Sequence, residues 1–437
     1  MRDFILENEG ADAASLLLKY RGKWNESFSL ETAVSTIESR KALKSKVPEW
    51  YSIPELVLPR KLSAEQCSSS ATAFYKAAVA GGPEGPAGIA ALGRVRGRGP
   101  SLLGKDSPKG AYRTGPSGPP AAAGLADLTG GLGVDAWAFS KVFGKVLYNE
   151  MDTELSEAAR HNFGVLGADN ITVRNGELTA ESLEEILGGF SPDVIYLDPA
   201  RRSGSGGKVF LISDCKPDVT GLLRLLLKKA GKVMIKYSPM LDIARAAKEL
   251  GGSLREVHVV ASGGECKELL FILESGHSGE FRIVVSELPS GQFSFTPREE
   301  AEAAPIFADR AGALEGQWLF EPGKALMKAG AFNLTSQRFG LRKMGRSTHI
   351  YAAEKPVEGL MGLGRWLRVK EVIPLTGRSL KETGKRFPRA EVSARNIPMS
   401  SDQLRRRIGC GSGDEARIYG LRIDTTDGKS NNYLIIS

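Results

Sequence analysis

The chain has 437 residues, 41% apolar and 25% charged, ordinary values for folded globular protein and too long for one core. No apolar run reaches the ~18 residues of a membrane span, and the acidic opening M-R-D-F-I-L-E-N-E-G lacks the apolar core of a secretory signal. The net charge of +8 is unevenly held: from Arg338 onward 20 Lys and Arg face 10 Asp and Glu, so the rest is close to neutral. Cys67, Cys215, Cys266 and Cys410 are scattered without paired metal spacing, and the four histidines form none either. Free thiols in a reducing cytoplasm, and no metal, are expected.

Residues 1–80 read as an N-terminal helical region, with helical periodicity in Ala13–Tyr20 and Leu30–Leu43. Pro48, Pro54 and Pro59 then mark a loop, and Ser63 with Gln66 predicts a capping box for a helix running to about Ala80. Residues 81–122 are more than half Gly, Pro and Ala, with Arg94, Arg96, Arg98 and Arg113 as the main charges. Nothing there can bury an apolar face, so a disordered basic insertion is expected.

From Ala123 to about Ser275, strands alternate with helices as a doubly wound α/β sheet requires. L-A-D-L-T-G-G-L-G-V-D (Leu125 to Asp135) predicts a first strand ending on Asp127, a tight turn over Gly130, Gly131 and Gly133, and a helix from Val134 to Phe143. The glycines permit positive φ and a close approach of backbone to ligand. G-L-G-V-D-A matches the dinucleotide fingerprint G-x-G-x-x-A, yet the charge of Asp127 would repel a pyrophosphate. A second strand, Lys145–Asn149, ends on Glu150, a carboxylate that can accept ribose hydroxyls of NAD or of an adenosyl ligand. The third, Ile171–Arg174, runs into Asn175-Gly176-Glu177, and the fourth, Asp193–Leu197, ends in D-P-A-R-R (Asp198 to Arg202). Gly231–Lys236 is a fifth, while Leu254–Val260 and Glu268–Leu273 read as a closing antiparallel pair.

Ligands of such sheets bind outside the carboxyl ends of the strands, so Asp127, Glu150, Glu177, Asp198 and Lys236 should share one rim. Helix N-capping could account for one or two of these acids but hardly for four. Acidic strand ends without a basic phosphate clamp favour S-adenosylmethionine over a dinucleotide. Cys266, next to Lys267, has the setting of a nucleophile, but its edge-strand position fits a structural thiol better.

After Gly276, short strands (Phe281–Val285, Phe293–Phe295) and a helix near Pro322–Ala331 indicate a small α+β module over 276–343. Residues 344–437 form a basic α+β domain, densest in charge at Arg365–Lys370, Lys385-Arg386 and Arg405–Arg407. Such a field attracts a polyanion, although a solvated face without a partner has the same composition. Trp366, Phe387 and Tyr419 suit core packing better than base stacking.

The glycine motif resembles that of class I S-adenosylmethionine-dependent methyltransferases, with Asp127, Gly130, Gly131 and Gly133 at the matching positions. Glu150 matches their ribose-binding acid, Glu177 falls where they usually carry an Asp at the adenine edge, and D-P-A-R-R takes the place of their fourth-strand motif. E-Q-C-S-S-S-A-T-A-F-Y-K-A (Glu65 to Ala77), I-K-Y-S-P-M-L-D (Ile235 to Asp242), G-E-C-K-E-L-L (Gly264 to Leu270) and R-N-I-P-M-S (Arg395 to Ser400) carry a closer resemblance. It is to a bacterial family, found mainly in Bacteroidetes, that joins this fold to a THUMP-like C-terminal domain.

The resemblance implies a Rossmann-like methyltransferase sheet over 123–275, a ferredoxin-like domain over 276–343 and a THUMP-like domain over 344–437. It implies S-adenosylmethionine held by Asp127, Thr129, Gly130, Gly131, Gly133, Asp135, Glu150 and Glu177, with Asp198, Pro199 and Arg201 serving the transfer. An RNA substrate, tRNA or rRNA, follows from the C-terminal domain. Methyltransferases of base amines carry an Asn or Asp, two prolines and an aromatic at the fourth strand; here Ala200 and Arg201 replace the second proline and the ring. Arg201 or Arg202 could neutralise a phosphate or stack on a base. An RNA-binding protein whose methyltransferase-like domain binds cofactor without turnover is the alternative, and a dinucleotide oxidoreductase the third reading.

Overall fold

The computed structural model describes residues 2–25, 28–81, 123–201, 212–289, 291–308, 311–424 and 430–437. The insertion expected at 81–122 therefore lies outside the described residues, apart from Gly81, which ends a helix. The chain forms two compact units: residues 1–257 with 267–280, and residues 258–266 with 281–437. No helix among the described residues is long and apolar enough to cross a membrane.

The N-terminal part of the first unit includes helices α1 (Ala13–Tyr20), α2 (Leu30–Lys46), α3 (Lys61–Gln66) and α4 (Ser70–Gly81), besides the short helices Arg2–Glu7 and Pro48–Tyr51. The single helix expected from Ser63 is thus two. Ser63 caps nothing, because α3 starts at Lys61 without a side-chain cap. Ser69 is the residue whose hydroxyl accepts the Thr72 N–H at the start of α4. The break at Cys67–Ser69 turns Ser68 inward, where it is buried.

The sheet that follows contains β1 (Gly124–Asp127), β2 (Lys145–Glu150), β3 (Ile171–Asn175), β4 (Val194–Leu197) and β5 (Lys232–Tyr237), with helices α5 (Val134–Ser140), α6 (Thr153–Val165) and α7 (Val219–Lys229) between them and α8 (Ile243–Leu250) after β5. Spatial order is β3-β2-β1-β4-β5, all parallel. β1 and β4 are buried at every position, as parallel strands covered on both faces must be. The strand Glu265–Glu274 pairs antiparallel with β5. Register places Asp127 between Tyr148 of β2 and Tyr196 of β4, and Leu197 opposite Ile235, so Asp198 and Lys236 come next in line. Three of the connecting helices are capped by acids, Asp152, Asp218 and Asp242, which are not the acids of the predicted rim.

In the second unit, Arg282–Leu288 pairs antiparallel with Gly291–Phe295. A five-stranded sheet is centred on Tyr351–Ala353 and Trp318–Pro322. A four-stranded sheet runs Glu371–Pro374, Ser430–Ile436, Arg417–Asp424, Glu391–Arg395, with helices Gly377–Arg386 and Ser401–Ile408 in its connections. One core cluster joins Ala308, Leu319 and Met344 to Tyr419, Leu421 and Ile435, drawing on residues from both sides of position 344.

Candidate active site

Between β1 and α5 the chain makes the predicted turn, and its geometry requires the glycines. Gly131 and Gly133 have φ of +53° and +93°, values that side-chain-bearing residues rarely adopt. A Cβ on Gly130 would collide with the Tyr148 ring, and one on Gly133 would lie 2.8 Å from Phe163; at Gly131 the same position faces open space. The loop is fastened to β2. Gly130 N–H donates to the Asn149 carbonyl (2.8 Å), Gly131 N–H to Glu150 Oε2 (2.8 Å), and the Tyr148 hydroxyl to the Gly131 carbonyl (2.5 Å). Glu150 Oε1 also accepts the Asp152 N–H at 2.9 Å, leaving each of its oxygens one further lone pair.

Asp127 lies under this loop, fully buried. Its Oδ1 accepts the Thr129 N–H at 3.2 Å, while Oδ2 and the nearby Asn149 Oδ1 are buried without a partner among the described residues. Burial first, and then the carboxylates of Asp135, Asp198 and Glu150, push the Asp127 carboxyl well above the usual range. Buried acceptors left open beside a glycine cradle are what a bound group with cationic and N–H character would satisfy.

Thr129 ties the loop to β4, its hydroxyl accepting the Asp198 N–H at 2.6 Å. The Asp198 side chain is 36% exposed and paired with Lys236 Nζ, and Pro199 behind it is buried. Burial alone would lower the Lys236 value; the carboxylates of Asp198, Glu268 and Asp135 outweigh it and hold the ammonium above the ordinary lysine value. Glu177 stands exposed after β3, in an ion pair of 2.7 Å with Lys216. Ala200 and Arg201 form a two-residue strand against Cys215–Lys216; the loop from Arg202 lies outside the described residues. Asp127, Thr129, Gly130, Gly131, Gly133, Glu150 and Asp198 are thus joined along the loop and its bonds to β2 and β4, with Glu177 just after β3 and Arg201 on the short strand after β4.

Asp135, in the first turn of α5, belongs to a different arrangement. Its Oδ2 accepts from the Ser68 hydroxyl and the Tyr196 hydroxyl, both at 2.9 Å. Lys76 of α4, wholly buried, lies 3.2 Å from Asp135 Oδ1 and donates to both oxygens of Glu268 (3.1 and 3.0 Å) and to the Ser68 hydroxyl (2.9 Å). Burial raises the Glu268 carboxyl, and Lys76 and Lys236 oppose that rise. Sequence reasoning assigned no role to Lys76 or Glu268. The available signal was a lysine inside the apolar run A-F-Y-K-A-A-V-A and a glutamate opening E-L-L-F-I-L, since charges in such runs are buried only when paired.

Residues 318–360 match the family model of a ferredoxin-like domain, and residues 364–435 that of a THUMP domain-like family. No curated protein matches the chain. Among solved structures it is similar to a candidate methyltransferase from Porphyromonas gingivalis W83, at 28% identity and a TM-score of 0.78, covering 100% of this chain and 96% of that one. A protein predicted to be an O-methyltransferase from Agrobacterium tumefaciens overlaps 41% of this chain and 86% of its own, at 18% identity and TM-score 0.30. An rRNA methylase from Streptococcus thermophilus overlaps 36% and 87%, at 14% identity and TM-score 0.26. The chain therefore has a Rossmann-like methyltransferase fold followed by ferredoxin-like and THUMP-like domains, the combination its sequence resemblance implied.

Proposed function

We propose that this chain is a cytoplasmic S-adenosylmethionine-dependent methyltransferase that modifies a base nitrogen of structured RNA, tRNA or rRNA. The observation that carries the reading is the cradle itself: Gly131 facing open space, flanked by Glu150, with a buried unpartnered oxygen of Asp127 beneath it. Among the described residues, the lysine at the carboxyl ends of the parallel strands, Lys236, is consumed by Asp198, so a pyrophosphate would find carboxylates and no counter-charge. Asp127, Thr129, Gly130, Gly131, Gly133, Glu150 and Glu177 would hold the cofactor, with Asp135 supporting α5 from below.

Bound S-adenosylmethionine supplies a methyl group made electrophilic by its sulfonium. This chain's residues have the remaining tasks of aligning the acceptor and handling its proton. Asp198, fixed at its backbone by Thr129, would accept a hydrogen bond from the acceptor N–H and take that proton as the nitrogen becomes methylated. Pro199 stiffens the turn that presents it. The RNA would be retained by the basic surface of the C-terminal region through phosphate contacts. A second reading, cofactor binding without turnover, is favoured by Ala200 and Arg201 standing where base-amine methyltransferases carry a proline and a ring.

Calorimetry with S-adenosylmethionine and NAD tests the cofactor. Labelled methyl transfer to RNA from cells lacking the gene, with nucleoside mass spectrometry, tests the reaction. Asp198→Ala is expected to reduce transfer by about 10²-fold or more, as loss of a positioned proton acceptor does, while leaving cofactor affinity within a few-fold. Binding of NAD in preference to S-adenosylmethionine would sink the reading, and absence of transfer by the wild type would leave only the second.

A further inference from the structure

Lys236 stands at the end of β5, one register step beyond the Leu197–Ile235 pair, so that its ammonium meets the Asp198 carboxylate. It is 16% exposed at the side chain, against 36% for Asp198. Its partner in the antiparallel pairing is Leu270, two residues from Glu268, and the buried carboxylates of Glu268 and Asp135, both paired with Lys76, act on its charge. Charges of both signs therefore meet in this corner of the sheet: Lys76 pairs with Asp135 and Glu268, and Lys236 pairs with the partly exposed Asp198. A lone surface ion pair would let the Asp198 side chain rotate, because exposed pairs contribute little. Here one partner is only 16% exposed, and it lies in the field of two buried carboxylates.

We propose that Lys236 is a positioning residue for methyl transfer, locking the Asp198 carboxylate toward the acceptor nitrogen, with Asp135, Glu268 and Lys76 as its buried support. This rests on the methyltransferase reading above. Lys236 itself touches neither the acceptor nor the methyl group; it acts through Asp198, which takes the acceptor proton. A lysine that acts only through one carboxylate has nothing left to contribute once that carboxylate is gone, and this separates it from a lysine that merely holds the fold.

The test is a double-mutant cycle on the full chain, with labelled S-adenosylmethionine and RNA from cells lacking the gene. Lys236→Met is expected to lower kcat at least about 10-fold with little change in KM, as loss of an interaction made in the transition state does, and to leave cofactor affinity by calorimetry unchanged. In an Asp198→Asn background the same substitution should cost less than about 2-fold. Lys236→Gln, which keeps a polar side chain but not the charge, serves as the second variant should the methionine form fold poorly, and should show the same dependence on Asp198. Equal losses in both backgrounds, or no loss from either variant in an active wild type, overturn the inference while the methyltransferase reading stands. A wild type that transfers no methyl group to RNA takes both down.

Discussion

The sheet rim and the C-terminal region both depend on charge, but they hold it in opposite environments. In the buried cluster around Asp135 that adjoins the rim, Lys76 and Glu268 are 0% and 3% exposed at the side chain, and each charge has named partners. In the C-terminal region, Arg378, Arg386 and Arg405 are paired at the surface with Glu382, Glu371 and Asp402. Lys381, Lys385, Arg406 and Arg407 are exposed and have no acidic partner within ion-pair distance among the described residues. Low dielectric makes the first set expensive to disrupt and insensitive to salt, whereas water and counter-ions make the second set cheap to change and salt-governed. The sharpest way to break the comparison is at Lys76. Lys76→Met strands two buried carboxylates and is expected to lower stability by about 3–5 kcal/mol. Urea unfolding at low and high salt should give nearly the same loss; a loss under about 1 kcal/mol would mean that the buried cluster behaves like a surface pair.

The four exposed cations supply the opposite test. They sit on helices Gly377–Arg386 and Ser401–Ile408, which approach closely because Gly384 has no side chain to strike the Ile408 carbonyl. Lys385 and Arg407 adjoin that meeting point, so the two helices present their charges together. Replacing all four by Gln is expected to leave the melting temperature nearly unchanged and to weaken RNA retention by about 10–100-fold near physiological salt. The slope of log affinity on log salt should shrink by about 0.7–0.9 for each phosphate that the variant no longer neutralises. Undiminished slope in filter binding would remove this face from the RNA reading. These substitutions are cleaner than deleting 344–437, which would strip Met344, Tyr419 and Ile435 from the core they share with Ala308 and Leu319.

The difference between the regions also explains what could be read from the chain. The rim was legible because each element is local: a strand, its terminal acid and the next turn lie close together in sequence, and parallel topology then brings the ends together. Glu150 reaching Gly131 and Thr129 reaching Asp198 follow from that topology, though no sequence pattern specifies either bond. The Lys76–Glu268 pair spans 192 positions, so nothing beside either residue in the sequence announces the other. Asp135 illustrates the limit of motif matching: its place beside the glycines suggests the ligand, yet the hydroxyls of Ser68 and Tyr196 draw it into the interior. The Ser63 cap failed for a related reason. A serine followed three residues later by glutamine is a local signal, but the chain breaks at Cys67–Ser69 to bury Ser68 against α5, and tertiary packing overrides it. In the basic tail, composition gave the charge and could not say which cations are paired.

The smallest expected effect sharpens the contrast inside the C-terminal region itself, which is not basic surface throughout. Lys343 is 2% exposed, donating to Asn333 Oδ1 at 2.9 Å. His349 nearby stacks on Phe332 with ring centroids 3.5 Å apart and a buried Nδ1. Burial first, and then the Lys343 ammonium, bring the His349 imidazole down from 6.5 to about 4. Between those values the unfolded chain binds a proton that the folded chain refuses, so stability falls as the pH drops through that window and is fully present above it. Partial exposure reduces the effect to about 1–2 kcal/mol between pH 7 and pH 4. His349→Phe, which keeps the stack and cannot ionise, should flatten that part of the pH dependence and leave the contribution of the carboxylates as it was. Urea midpoints at pH 7 and pH 5 measure the change, and an unchanged difference between wild type and variant would show that His349 charges freely, as an exposed residue of the basic face would.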